Sequence, residues 1–300
     1  MLRSPLRPSS WLSGVASGDV LLKLEALQPT FSYKIRGAFN VVERLGEAGR
    51  RPGALVTASA GNHGRALAQA AAAAGVPLAV YVPGNAPRTK LDAIRALGAD
   101  LRAASDYDEA ERLAKAHAAR GEGAFISPYS HPDVIAGAGT IGLEILADRS
   151  DVDTIVVPMG GGGLISGIAI AAASLAPAVA VIGVEVAASQ PFTQSRRAGR
   201  IVPITVRPTL ADGLAGNLDS DTVTFAIVEQ QVQSIVTVEE AELRHAMRGV
   251  VEHEHLIAEG AGAVGIAALL DGKIPAAGRC VAIVLSGANV DLEVLRQILA

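Results

Sequence analysis

Thr154-Ile155-Val156-Val157-Pro158-Met159-Gly160-Gly161-Gly162-Gly163-Leu164-Ile165-Ser166-Gly167 decides the fold. Its first four residues are all β-branched and the last three apolar, the pattern of a strand buried on both faces. From Leu164 to residue 175 the chain is apolar and small-residue-rich over a helical length. Strand, glycine turn and helix together make a βα unit. Consecutive glycines let backbone N–H groups approach an anion closely, and the helix N-terminus adds a favourable dipole, so the segment is predicted to hold a phosphate. An ordinary tight turn explains one glycine but not a run of four. No G-x-G-x-x-G register fits, because the sixth position falls on Ile165 or Ser166. Glu185 nevertheless lies about 20 residues further on, where a ribose-binding acid would stand, which keeps a nicotinamide-dependent oxidoreductase open as an alternative. No lysine of P-loop type follows the glycines, which argues against a nucleoside triphosphate.

Outward from this unit, short apolar strands alternate with helical patterns. Leu55-Val56-Thr57-Ala58 precedes a helix over residues 64–74, and Leu78-Ala79-Val80-Tyr81-Val82 a helix over 89–97. Leu101-Arg102-Ala103 precedes a charged helix over 106–120, and Val281 to Leu285 precede one over 291–299. This is α/β architecture with mostly parallel sheets. No linker separates two lobes, so the domains are expected to be intertwined, with the chain crossing between them more than once. Residues 199–221 are turn-rich and are expected to wrap a surface or line a cleft. Thr237 and Glu240 read as a capping box before a helix over 239–252.

The chain has 300 residues, half of them hydrophobic and 19% charged, with a net charge of −4. That composition is globular and offers no electrostatic reason for a nucleic acid or an anionic membrane as partner. Cys280 is the only cysteine and sits in an apolar run, so neither a disulfide framework nor a cysteine metal site is expected within one chain, consistent with a reducing cytoplasm. The N-terminus lacks the apolar core of a signal peptide, and the alanine-rich run 66–74 is too short to span a bilayer. A soluble, cytoplasmic protein is expected.

Three further segments carry chemistry-bearing residues. In Ser32-Tyr33-Lys34-Ile35-Arg36-Gly37-Ala38 a lysine stands where the buried strand Val20-Leu21-Leu22-Lys23-Leu24 has ended and a helical pattern opens. Burial there would favour the neutral amine, the form that makes a Schiff base, although most lysines are solvated surface groups. Ser59-Ala60-Gly61-Asn62-His63-Gly64 places a hydroxyl, an amide, an imidazole and helix N–H groups together, able to bind a carboxylate or a ring hydroxyl. A capped turn would account for only one of those polar residues. Ser286, after the last buried strand, is either a turn residue or a hydrogen-bond partner to a ligand. Glu252-His253-Glu254-His255 has no His-Glu-x-x-His spacing and reads as a polar helix end. No Ser-His-Asp signature or G-x-S-x-G elbow is present.

Taken in order, these motifs resemble the fold-type II pyridoxal-phosphate (PLP) enzymes, specifically the serine/threonine dehydratase and serine racemase family (threonine ammonia-lyase-like). Lys23 to Ala38, Val134-Ile135-Ala136-Gly137-Ala138-Gly139-Thr140, Glu259-Gly260-Ala261-Gly262-Ala263 and Ser286-Gly287-Ala288-Asn289-Val290-Asp291 carry the resemblance, which covers residues 4–299. It implies a tryptophan synthase β-like fold of two intertwined α/β domains. The large cofactor-binding domain comprises residues 1–48 and 132–300, and the small mobile domain 49–131. It implies that Lys34 is the catalytic, Schiff-base lysine. Asn62 faces the cofactor's ring hydroxyl, Gly160, Gly161, Gly162 and Gly163 its phosphate, and Ser286 its pyridine nitrogen. Ser59, Ala60, Gly61 and His63 lie on the substrate side. A hydroxyl facing the ring nitrogen need not protonate it, which tempers the electron sink and favours β-elimination over a long-lived carbanion. The implied reaction is dehydration and deamination of a β-hydroxy amino acid such as L-threonine or L-serine to a 2-oxo acid and ammonia. A homodimer is implied likewise.

The departures from the family pattern are also informative. Ala60 stands where serine racemases usually carry a serine, so racemisation is expected to be weak. Glu185 matches the family's cation-site glutamate, but the later acidic position falls in Ser189-Gln190-Pro191, and no metal is expected. Ala138 and Ala288 replace a common glutamine and glycine, which opens a related hydroxy or diamino acid, as in hydroxyectoine breakdown, as substrate. The chain's end at Ala300 implies no C-terminal regulatory domain. Cysteine synthase-type β-replacement remains an alternative, although His63 follows Asn62 where those enzymes carry threonine. A catalytically silent binding protein is the last, and it predicts no PLP retention.

Overall fold

The computed structural model describes residues 1–47, 52–84, 86 and 88–300. They form two compact units, Lys34–Gly137 and Leu2–Tyr33 with Ala138–Ala300. The larger begins with β1 (Leu6–Pro8), α1 (Ser10–Ala16) and β2 (Asp19–Leu24). The smaller holds α2 (Lys34–Glu47), β3 (Leu55–Ala58), α3 (Asn62–Ala74), β4 (Leu78–Pro83), α4 (Arg88–Arg95), β5 (Asp100–Ala104), α5 (Tyr107–Ala119) and β6 (Ala124–Phe125). The boundary between Gly137 and Ala138 falls inside α6 (Pro132–Asp148). The chain continues through β7 (Thr154–Pro158), α7 (Gly163–Leu175), β8 (Ala180–Val186), α8 (Pro191–Ala198), α9 (Thr224–Gln231) and β9 (Ser234–Val238). It ends with α10 (Glu240–Gly249), α11 (Gly260–Leu270), β10 (Cys280–Leu285) and α12 (Leu292–Leu299).

The larger unit is built on a six-stranded sheet in the order β1-β2-β10-β7-β8-β9, parallel except for β1. Strand parity divides its side chains between two cores. Leu22, Val156, Ile182 and Ile283 pack on one face with residues of α10 and α11. Leu21, Ile155, Val157, Val181 and Ala282 pack on the other with α6 and α7. Both faces are covered, which is why the strands read as unbroken apolar runs. Lys23, buried in β2, donates to Ser4 O at 2.7 Å and Glu144 Oε2 at 2.6 Å, so its charge is paired.

The smaller unit carries an all-parallel sheet in the order β5-β4-β3-β6. Leu55, Leu78 and Val80 face α2 and α3, while Val56, Ala58 and Tyr81 face α5. The expected boundary between residues 48 and 49 lies outside the described residues. The second crossing falls at Gly137 rather than 131, and α2 belongs with the smaller unit because Ile35, Ala38, Val41 and Val42 enter its core. At Gly137 a Cβ would lie 2.5 Å from Arg36 O and 2.7 Å from Gly37 Cα, so only glycine permits this crossing of α6 over α2.

The capping box before α10 uses Glu239 and Glu242, not Thr237 and Glu240. Thr237 lies inside β9, opposite Glu185, so it is not available as a cap. The Glu252-His253-Glu254-His255 segment is a π-helical turn over Val250–Glu254 that ends at a left-handed His255. His253 packs against Trp11 with ring centroids 4.6 Å apart, which supports the reading as a helix end. Among the described residues no group of three or more His, Cys, Asp or Glu side chains could hold a metal, and no helix is long and apolar enough to cross a membrane.

Candidate active site

In the smaller unit, Lys34 opens α2 and is half-buried, and its Nζ donates to the Pro128 carbonyl at 2.7 Å. Pro128 belongs to a turn held by Ser127 Oγ, which accepts from Ser130 N at 3.0 Å and, more weakly, Tyr129 N. That carbonyl acceptor escaped the sequence reading, since a backbone oxygen leaves no residue-type signature. The only available hint was the Ser127-Pro128-Tyr129-Ser130 composition, typical of a turn.

Ser59 and Ala60 follow β3, Gly61 is the N-cap of α3, and Asn62 and His63 form its first turn. Ser59 Oγ accepts from Gly61 N at 3.3 Å, and the glycine N-cap gives α3 no side-chain cap. A Cβ at Gly64 would lie 2.2 Å from Ser59 O, and this close approach fixes the loop. Ser59, Ala60, Gly61 and Asn62 are partly accessible. His63 is not: it is 2% exposed, and burial, aided by the nearby charges of Lys34 and His131, lowers its pKa to about 3. The ring that the sequence reading put on the substrate side is thus buried and neutral.

In the larger unit, Gly160 to Gly163 join β7 to α7, with Gly162 as a left-handed N-cap at φ +84° and no side-chain cap. A Cβ at Gly162 would stand 2.5 Å from the Phe192 ring, and one at Gly160 would stand 2.9 Å from Leu214 Cα. Thr224 Oγ1 donates to Gly161 O at 2.9 Å and holds the loop from behind. The result is an uncapped helix N-terminus preceded by bare backbone, an anion cradle that side chains would fill. Ser286, buried at the end of β10, makes only a long contact to Ala261 O at 3.5 Å, so its hydroxyl is nearly free to bond elsewhere. Its backbone is fixed, because Tyr33 N donates to Ser286 O at 2.9 Å and Ala288 N to Phe31 O at 2.9 Å.

Glu185 is fully buried near the end of β8. Its carboxylate accepts from Phe192 N at 2.8 Å, Thr193 N at 3.0 Å and Thr193 Oγ1 at 2.6 Å. Burial raises its pKa against the pull of these three donors. The residue caps α8, and that role accounts for a carboxylate at this position without a ribose.

The sequence family of pyridoxal-phosphate dependent enzymes matches residues 1–287. The chain belongs to this family. It is 43% identical to an L-threonine ammonia-lyase of Thermotoga maritima over 298 residues, 99% of this chain and 74% of that protein. It is 39% identical to the catabolic L-threonine dehydratase TdcB of Escherichia coli, over 97% of this chain and 88% of that one. Among solved structures, maize serine racemase superposes with a TM-score of 0.92 at 31% identity, covering 99% of this chain and 91% of that one. The fold is that of the fold-type II PLP enzymes, and the cofactor of this enzyme is PLP. The residues present fit it. The Gly160–Gly163 backbone carries no side chain that would obstruct a phosphate, Ser286 offers a buried hydroxyl with little other bonding, and Lys34 is an amine at a helix start.

Proposed function

We propose that this PLP enzyme eliminates water from a β-hydroxy amino acid such as L-threonine or L-serine, yielding a 2-oxo acid and ammonia. The observation that carries the reading is the group at the end of β10, a buried serine hydroxyl rather than a carboxylate. When bound, PLP supplies an electron sink for the pair left at the substrate's α-carbon. A hydroxyl opposite its ring nitrogen tempers that sink and favours prompt loss of the β-substituent. Sequence similarity to threonine ammonia-lyases and dehydratases supports the same reaction.

Lys34 is the residue proposed to hold PLP covalently and, once released, to take the α-proton at Nζ. Asn62 would hold the ring hydroxyl, Gly160, Gly161, Gly162 and Gly163 the phosphate, and Ser286 the ring nitrogen. Ser59, Ala60 and Gly61, with the N–H groups of His63 and its neighbours, receive the substrate carboxylate at the start of α3. Ala60 provides no acid or base, so the second substrate face has no hydroxyl there and racemisation is slow. Overall, the α-proton and β-hydroxide leave as water, the released enamine tautomerises to an imine, and water hydrolyses that to the 2-oxo acid and ammonium. The smaller unit is proposed to move during turnover. The enzyme is proposed to work as a cytoplasmic homodimer, which light scattering on the purified protein tests.

The deciding experiment is a screen of L-threonine, L-serine, L-threo-3-hydroxyaspartate, O-acetylserine and a diamino acid for equimolar 2-oxo acid and ammonia, with and without sulfide. Release of 2-oxo acid from a hydroxy amino acid without sulfide is expected. Turnover only of O-acetylserine with sulfide would replace elimination by β-replacement. Preference for the diamino acid would move the substrate class. Lys34→Ala should abolish turnover and the visible absorbance of the PLP-loaded protein.

A further inference from the structure

The Pro128 carbonyl that receives Lys34 Nζ at 2.7 Å belongs to a turn pinned at both ends. Upstream, Ile126 N donates to Val56 O at 2.8 Å and Ile126 O accepts from Thr57 Oγ1 at 2.8 Å, so β3 fixes the entry. Downstream, Asn40 Nδ2 donates to Asp133 O at 2.7 Å. Asn40 lies further along α2, so the helix that carries the amine also holds the exit of the turn. Between these anchors Ser127 is buried, and its Oγ accepts from Ser130 N at 3.0 Å and from Tyr129 N at 3.4 Å. The Tyr129 N–H and the Pro128 C=O are two ends of one peptide plane, so a hold on the N–H sets where the oxygen points. With the φ of Pro128 fixed by its ring, rotation of that plane is the carbonyl's main remaining freedom.

We propose that the Pro128 carbonyl is the rest for the Lys34 amine once the cofactor has released it, and that Ser127 is a positioning residue that aims this carbonyl. An amine on a flexible four-carbon stem needs a fixed partner to present its lone pair in one direction. With one N–H held on Pro128 O, the lone pair can turn only about that hydrogen bond. A backbone carbonyl accepts but neither donates nor exchanges a proton at working pH, so it holds the base without competing for the α-proton. A carboxylate in its place would favour the charged ammonium, which has no lone pair to offer. Lys34, Ser127 and Pro128 all belong to the smaller unit. The inference rests on Lys34 being the PLP lysine.

Three substitutions test it in the PLP-loaded protein. Ser127→Ala and Ser127→Val remove the acceptor, while Ser127→Thr keeps a hydroxyl in the shape of valine. We expect Ser127→Ala and Ser127→Val to lower kcat by about tenfold, with KM and PLP affinity nearly unchanged. Ser127→Thr should keep most of kcat. In PLP-free protein, the acylation rate of Lys34 is read by mass spectrometry against that of Lys273 in the larger unit. It should rise about two- to tenfold in Ser127→Ala and Ser127→Val, because the amine is no longer held to its carbonyl. Wild-type kcat in both variants, a loss in Ser127→Thr as large as in Ser127→Val, or an unchanged Lys34 acylation rate overturns the proposal. So does a fall in kcat that comes with a higher KM or weaker PLP binding, since the turn would then shape the site rather than aim the base. If Ser127→Val does not fold, Ser127→Ala against Ser127→Thr decides. Retention of turnover and visible absorbance by Lys34→Ala would overturn the assignment of Lys34 instead.

Discussion

Acidification should unfold the smaller unit through His63, and by an amount the burial of its ring sets. The folded state holds the imidazole neutral, with a pKa of about 3 against 6.5 for an ordinary histidine. The unfolded chain therefore binds a proton below pH 6.5 that the folded chain refuses until about pH 3. Stability is fully present above 6.5 and is lost as pH falls toward 3. Over the 1.5 units from 6.5 to 5.0, at about 1.4 kcal/mol per unit, the loss is about 2 kcal/mol. The assay is urea unfolding of PLP-free wild type and His63→Leu at pH 7.5 and 5.0, followed by hydrogen exchange in peptides spanning β3 and α3. Burial lowers His131 in the same direction and raises Glu185 in the opposite one, but both are present in each protein and cancel in the comparison. Wild type should lose about 2 kcal/mol more than His63→Leu between the two pH values. Parallel losses in the two proteins would refute the reasoning and show that the imidazole reaches water or a partner in the folded chain.

Gly162→Ala forces a Cβ to φ +84° and to 2.5 Å from the Phe192 ring, so it should lower Tm and weaken PLP binding, measured by equilibrium dialysis. Unchanged affinity would remove the Gly160–Gly163 loop from the phosphate site. Glu185→Ala leaves Phe192 N and Thr193 N without an acceptor at the start of α8 and should cost about 1–2 kcal/mol, checked by thermal unfolding. Because three donors already occupy this carboxylate, magnesium should leave the wild-type Tm unchanged; a rise abolished by Glu185→Gln would show a cation site. Phe31, 48% exposed, adopts φ +57°, where a Cβ is disfavoured, so Phe31→Gly should be more stable than Phe31→Ala by about 1 kcal/mol in urea unfolding. The reverse order would mean that the backbone leaves this conformation in solution.

Strand parity and the glycine run made the α/β class legible, because parallel strands buried on both faces must be apolar without interruption. The motif order carried the family, and the chemistry of Lys34, Asn62 and Ser286 could be named from residue type alone. The helix starts read at α3, α4, α5, α7, α10 and α12 fall within two residues of those observed, but the cap of α10 was misplaced, because Thr237 imitated a cap while serving as a strand residue of β9.

Other features depended on contacts between residues far apart in the chain. The place of α2 in the smaller unit follows from where Ile35, Val41 and Val42 find apolar neighbours. Only folding puts the Pro128 carbonyl, 94 residues away in sequence, onto Lys34 Nζ. Folding likewise turns Glu185 into the cap of α8 and buries His63, whose pKa falls to about 3 mainly through that burial. Local sequence determined which groups are present, because periodicity and residue type act over a few residues. Burial and partner choice set their protonation and direction, and those depend on chain segments that meet only in the folded protein.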